Sequence, residues 1–457
     1  MNNCSHALPI RTRRDFLRTT GAGFGWLAFA AWQASLQAAE KSRYVSPLAP
    51  KPGHHPARAK RVIFLFMNGG PSHLETFDWK PELKKSGPGG HHQLLGPVLD
   101  FQPAGKSGIM ISEAFPNLAR CADDLCLLNG MTTGNPGHQA AVVALHTGSE
   151  TFVRPSMGAW ITYGLGTESS DLPGYVTIDP ISDLGGAGNY GSAFLPASFQ
   201  GTRLGFSGRG LPNLDPRLAD DRQRRQIDFI QKVNRRTLAQ RDPANPELEG
   251  AIEALELAYK MQTSVPGVLD LGNEPAHIRA LYGADDAETS RFGTQCLMAR
   301  RLAEKGVRFI QLTSTGWDHH NNLRQGITGR AGAIDKPVAG LIADLKQRDM
   351  LKDTLIVWGG EFGRGAHDDK GDSNGRGHNA KGFSMWMAGG GVKGGLRHGA
   401  TDELGQHAVD GIMDTHDLHA TILHLLGLDH EALTYNYAGR DFRLTNVSGK
   451  VAKKILL

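Results

Sequence analysis

Val307-Arg308-Phe309-Ile310-Gln311-Leu312 is a short apolar run rich in β-formers, and five positions past its end begins Trp317-Asp318-His319-His320-Asn321-Asn322. A run of that length bounded by turn residues reads as a buried strand rather than a helix. A carboxylate and imidazoles are therefore delivered at a strand's carboxyl end, where open α/β sheets bind ligands. Two further segments repeat the arrangement. The apolar residues 354–358 run into Gly359-Gly360-Glu361-Phe362-Gly363-Arg364, and a glycine-rich loop then carries Arg376-Gly377-His378-Asn379. Three loops, each with a candidate metal ligand, point to one site.

Working outward, residues 61–67 form another continuous apolar run, closed by Asn68-Gly69-Gly70-Pro71, and residues 125–128 and 175–178 are further strand candidates. Helices are expected over 138–147, behind the loop Gly134-Asn135-Pro136-Gly137, and over 291–304 and 334–348; a last strand is expected over 383–388. Strands alternating with helices predict an α/β fold, a mostly parallel central sheet covered on both faces. The main domain is expected over 61–445, behind a linker over 40–60 rich in Pro, Lys and His. A helical insertion over about 215–265 is marked by the spacing of Ile227, Ile230 and Val233, then Ile252, Leu255 and Leu257. Its dense charge reads as a solvated outer face.

The amino terminus carries Thr12-Arg13-Arg14-Asp15-Phe16-Leu17-Arg18 before a weakly hydrophobic stretch rich in Gly and Ala, with small residues at Ala38 and Ala39. Charged region, apolar region and small residues in that order make residues 1–39 a twin-arginine signal peptide, so the expected location is periplasmic or extracellular. Its removal takes four arginines and one aspartate, lowering the formal charge from +4 to +1. A nearly neutral chain gives no nucleic-acid footprint. No later stretch reaches the roughly 20 apolar residues that span a bilayer, so no transmembrane anchor is expected after processing. Cys4 leaves with the signal; Cys121 and Cys126 could pair, with Cys296 left over.

Asp318 and His320, two apart after a strand, can aim at one ion, and His378 lies in a loop whose neighbours Gly375 and Gly377 permit close backbone approach. Oxygen and nitrogen donors without thiolates favour a divalent metal, zinc or manganese. Glu361 could bind the metal or pair with Arg364 or Arg376. Arg154, Arg364 and Arg376 could hold an anionic ester by bidentate contacts or form ion pairs. Trp317 and Trp386 read as core residues.

The pieces Asn68-Gly69-Gly70-Pro71-Ser72-His73, Arg154-Pro155-Ser156-Met157-Gly158-Ala159-Trp160, Trp317-Asp318-His319-His320, Gly360-Glu361-Phe362-Gly363-Arg364, 388–395 and Asp417-Leu418-His419-Ala420-Thr421 resemble the secreted family called domain of unknown function 1501. That family is grouped with the alkaline phosphatase and sulfatase superfamily, metal-dependent enzymes that cleave phosphate or sulfate esters. The resemblance implies an alkaline phosphatase-like three-layer sandwich. It places Asn68 where the superfamily has a metal-binding Asp, and Glu361-Phe362 where it has Asp-His. Asp318, His320 and His378 match its remaining ligands, with Gly377 in place of an Asp. The superfamily's nucleophile stands ten residues before the Gly of a Thr-Gly pair; counting back from Gly148 gives His138, neither Ser, Thr nor Cys.

Losing charged ligands points to one firm metal, with any second one weaker. At the amino end of a helix, His138 could coordinate metal, act as nucleophile or serve as general acid or base; ligand or base is preferred. The expected metal set is Asn68, His138, Asp318, His320, Glu361 and His378, and the expected catalytic set His138, Glu361, Arg364 and Arg376. The expected function is a secreted metal-dependent hydrolase of a phosphate or sulfate ester, small molecule or glycan, without the usual nucleophile. The alternative is a non-catalytic member binding an anionic glycan or a partner protein.

Overall fold

A computed structural model describes residues 46–86, 93–205, 219–241, 246–370 and 374–457. The signal peptide expected over 1–39, the linker's first residues and residues 215–218 and 242–245 of the expected insertion lie outside them. In chain order the strands that build the site are β1 (Arg61–Asn68), β2 (Leu125–Met131), β3 (Tyr175–Ile178), β4 (Thr202–Leu204), β5 (Phe309–Thr315), β6 (Thr354–Gly359), β7 (Gly363–Asp368), β8 (Arg376–Asn379), β9 (Phe383–Gly389) and β10 (Leu396–His398). Eight of them form one sheet in the order β10-β2-β9-β6-β1-β5-β3-β4. Every pairing in it is parallel except the two made by β9. β7 and β8 pair only with each other, as an antiparallel hairpin between β6 and β9. Because that hairpin returns the chain to the rim it left, β9 enters the sheet reversed, with no crossover to turn it parallel.

Period-two alternation sorts the strand residues onto two faces. Ile63, Leu65 and Met67 join Ile310, Leu312, Ile356 and Trp358 on one. Val62, Phe64 and Phe66 join Phe309, Leu355 and Val357 on the other. Helices α5 (Ser290–Glu304) and α6 (Leu323–Gln347) cover the first face, through Cys296, Leu297, Ile327 and Val338. Helices α1 (His138–Thr147), α2 (Met157–Leu165) and α7 (Thr415–Leu425) cover the second, through Val142, Leu145, Trp160 and Ile422. The stretch expected as an insertion holds a helical pair, α3 (Asp220–Arg241) and α4 (Pro246–Leu269), and α4 packs Met261, Val265 and Val268 onto the first face. Each fully buried side chain of this kind contributes roughly 1.5–3 kcal/mol, so two layers of them leave the loops at the sheet's rim free to carry polar groups.

The element bounds shift where tertiary contacts override local signals. β5 runs on to Thr315 because its pairing with β1 continues to Asn68. α6 starts at Leu323, well before the expected 334, across Gly326, Gly329 and Gly332, whose poor helix propensity hid it. Residues 46–60 hold no strand or helix, but they are pinned: Lys51 N–H donates to Leu165 and the N–H groups of Arg58 and Ala59 to Leu425. The expected option of a Cys121–Cys126 bridge is not taken; Cys121, Cys126 and Cys296 are all free. Trp317 and Trp386 are buried in the core, as expected. Among the described residues no helix is long and apolar enough to cross a membrane.

Candidate metal centre

β1, β5 and β6 are parallel neighbours, with Asn68 level with Thr315 and Phe66 level with Gly359, so their carboxyl ends share one rim. Gly69 takes φ +118°, and a Cβ there would come within 2.6 Å of the Asp318 backbone nitrogen. Only glycine lets the loop after β1 close against the loop after β5. His138 is the first residue of α1, which follows β2. His378 is on β8 opposite Arg364 on β7, so it sits in a hairpin rather than in the open loop expected. That hairpin is drawn in by Gly375, where a Cβ would meet the His320 carbonyl oxygen at 1.9 Å.

Three imidazoles face one carboxylate. His138 Nε2 is 3.3 Å from Asp318 Oδ2, His320 Nε2 3.0 Å and His378 Nε2 3.4 Å from Asp318 Oδ1. Each ring's other nitrogen is anchored on an acceptor: His138 Nδ1 on Glu361 Oε1 at 2.6 Å, His320 Nδ1 on Asp369 Oδ2 at 2.8 Å, His378 Nδ1 on the Pro136 carbonyl at 2.7 Å. Carboxylates and carbonyls only accept, so the partners assign the Nδ1–H tautomer to each neutral ring and leave Nε2 as a lone pair. This is the arrangement in which outer acceptors orient metal-ligating histidines. His320 Nε2 and His378 Nε2 stand 2.9 Å apart, a contact that two lone pairs sustain only beside a proton or a metal cation. His138 Nε2 is buried and, though near Asp318, not aligned for a hydrogen bond. Ligand atoms of His138, Asp318 and His378 all lie within 4.8 Å of one another. These donors fit a divalent ion.

Electrostatics agree with the geometry. Burial disfavours protonation of His138, but the Asp318 and Glu361 carboxylates outweigh it and raise its pKa to about 9. Burial also works against ionising Asp318, yet the adjacent His138, His378 and Arg364 groups hold its pKa far below the usual carboxylate range. The cluster thus favours a positive charge at its centre. Burial, reinforced by Arg364 and Arg330, lowers the neighbouring His319 to about 4. Phe362 packs against both His138 and His378, with ring centroids 4.7 and 4.6 Å away, and walls the cluster on one side.

The remaining candidates fall into supporting positions. Glu361 is fully buried, and it accepts from Gly69 N–H at 3.0 Å besides His138; it stands behind His138 rather than beside Asp318. Asn68 ends β1 with its amide nitrogen buried and unpartnered. Arg364 ion-pairs with Asp318. Arg376 is paired with Glu75 at 2.7 Å, both side chains fully buried, so its guanidinium is taken up by that pair. Arg154 lies over the Phe442 ring at 4.3 Å. Three contributors escaped sequence reading: Asp369, the Pro136 carbonyl and Glu75. Asp369 follows Asp368 just before the glycine-rich loop, a weak signal; Glu75 is four residues past the quoted Pro71 and had none. A cavity of about 660 Å³ lined by Ser169, Ser170, Arg301 and Lys305 opens near Gly306, ahead of β5 at the opposite rim, and holds none of these residues.

Fold and site together describe an α/β protein with a histidine-carboxylate cluster at the carboxyl rim of its sheet. The chain belongs to the family described as "Protein of unknown function (DUF1501)", whose model matches residues 59–456. No curated protein matches it. Among solved structures it is similar to the PsFucS1 sulfatase from Pseudoalteromonas sp., at 15% identity and TM-score 0.37 over 82% of this chain and 69% of that one. It is similar to the phosphonate monoester hydrolase SpPMH from Silicibacter pomeroyi, at 13% identity and TM-score 0.38 over 80% of this chain and 73% of that one. It is also similar to the C-terminal periplasmic domain of EcEptC from Escherichia coli in complex with Zn, at 9% identity and TM-score 0.38 over 85% and 88%.

Proposed function

We propose that this protein is an exported, metal-dependent hydrolase of phosphate or sulfate esters, with an alkaline phosphatase-like centre that lacks a side-chain nucleophile. The observation that carries the reading is the convergence of three Nε2 atoms, each anchored through Nδ1, on the Asp318 carboxylate. Asp318, His138 and His378 would hold the ion, and His320 would extend the set. When bound, a zinc or manganese ion supplies Lewis acidity towards an ester oxygen. Glu361, seated on Gly69 N–H, and Asp369 fix the ring orientations of His138 and His320. The amino end of α1 adds a partial positive charge that suits an anionic ester group. With histidine at position 138, the attacking group is water. Residues 1–39 serve as the twin-arginine signal.

Because Glu361 and Asp369 act through the rings they orient, Glu361→Gln and Asp369→Asn are each expected to weaken zinc binding about 10–100-fold. Isothermal titration reads this directly, and unchanged affinity in both would separate these carboxylates from the centre.

To serve as a ligand, His138 would have to give up the proton it holds at Nε2. Its raised pKa of about 9 means that metal affinity falls by about tenfold per pH unit below that value. In metal-free protein the sign is opposite. A folded pKa above the unfolded one gives stability that is fully present below about 6.5 and is lost as pH rises through about 9. Unfolding midpoints of chelator-treated protein should therefore drop across that window, and those of His138→Gln should not.

The functional test is a panel of aryl phosphate, phosphodiester and sulfate esters with several divalent ions. Turnover that a chelator abolishes and metal restores is expected. Metal-free purified protein, inert on the whole panel with every ion, would contradict the reading.

A further inference from the structure

Arg364 is placed unlike a substrate clamp. Its side chain is fully buried. Nε donates to the Gly70 carbonyl at 2.9 Å, Nη1 to the Arg376 carbonyl at 3.1 Å, and Nη2 to the Gly69 carbonyl and Asp318 Oδ1. Nη1 also lies 3.4 Å from His320 Nε2. The guanidinium is thus engaged on every nitrogen by the protein, and no edge is left for an ester oxygen. It stays charged at any accessible pH, and it is fixed against one oxygen of Asp318. A divalent ion placed on that oxygen would meet a like charge at hydrogen-bonding distance in a partly buried setting, where screening is weak. The other carboxylates are engaged with the outer nitrogens of the rings: Glu361 accepts from Gly69 N–H and His138 Nδ1, and Asp369 from His320 Nδ1.

We propose that Arg364 is the resident cation of the centre. It closes Asp318 Oδ1 to metal, leaves Oδ2 beside His138 as the free carboxylate oxygen, and so confines the centre to a single divalent ion on the His138 side. Arg364 is then a positioning residue, acting through Asp318. The proposal rests on the metal reading above and adds to it a count and a cause. Removing the guanidinium leaves Asp318 Oδ1 and the carbonyls of Gly69, Gly70 and Arg376 without this donor, a set of oxygens suited to a hard cation.

The test is elemental analysis of the full chain, stripped with chelator and equilibrated with manganese. One ion per chain is expected for the wild type and for Arg364→Lys, and two for Arg364→Ala. Adding guanidinium to Arg364→Ala is expected to return the count to one. Two ions in the wild type, or a folded Arg364→Ala that stays at one, would overturn the proposal. If circular dichroism shows Arg364→Ala unfolded, the wild type and Arg364→Lys decide: one ion in both supports it, two in either overturns it. A wild-type count of zero is a different failure, one that removes the metal reading and this inference with it.

Discussion

Asp318→Ala is expected to abolish both metal binding and ester hydrolysis. All three imidazoles and the Arg364 guanidinium meet on this one carboxylate, so its removal takes away a proposed ligand and the group that gathers the others. Losing only an outer partner of a ligand costs about 10–100-fold in affinity; losing the shared ligand should exceed that. The variant also leaves Arg364 buried without its counter-charge, and metal-free Asp318→Ala should be less stable than metal-free wild type. Asp318 is 43% exposed at its side chain, so this loss is smaller than for a fully buried pair. Titration with zinc, turnover of the ester panel and urea unfolding separate the three effects. Wild-type affinity in the variant would detach Asp318 from the centre.

Glu75→Gln should cost the most stability. Glu75 and Arg376 are both fully buried; the pair is held by Nε and Nη2 of Arg376, and Ser72 also donates to Glu75. Neutralising one partner of such a pair strands the other charge and costs about 3–5 kcal/mol. The pair ties β8, which carries His378, to the loop after β1, and the Arg376 carbonyl accepts from Arg364. Metal affinity should therefore fall along with the urea midpoint. A change below about 1 kcal/mol, the range of exposed pairs, would show that the pair does not brace the hairpin.

What the sequence disclosed, and what it hid, follows from the range of the interactions. The rim was legible because parallel strands end on the same side, and polar residues recurred after the apolar runs ending at Asn68, near Asp318 and before Glu361. His138 was legible because the helix 138–147 has strong local signals and ends in an αL glycine at Gly148. The roles of the charged residues were not. Whether Glu361 touches a metal or orients His138 depends on Gly69, nearly three hundred positions away. Whether Arg364 clamps substrate or supports Asp318 depends on carbonyls that only the closed loops bring together. Asp369 acts through His320, and Pro136 through a backbone oxygen that no residue type advertises. The hairpin that lifts His378 to the site looks like loop in the sequence, because its short strands pair only with each other.

The most direct measurement is a crystal structure of the protein soaked with zinc and recorded at the zinc absorption edge. A single anomalous peak is predicted about 2.0–2.2 Å from His138 Nε2, His378 Nε2 and an Asp318 oxygen. No peak at the rim, or a peak that leaves Asp318 and the histidines uncoordinated, would contradict the account.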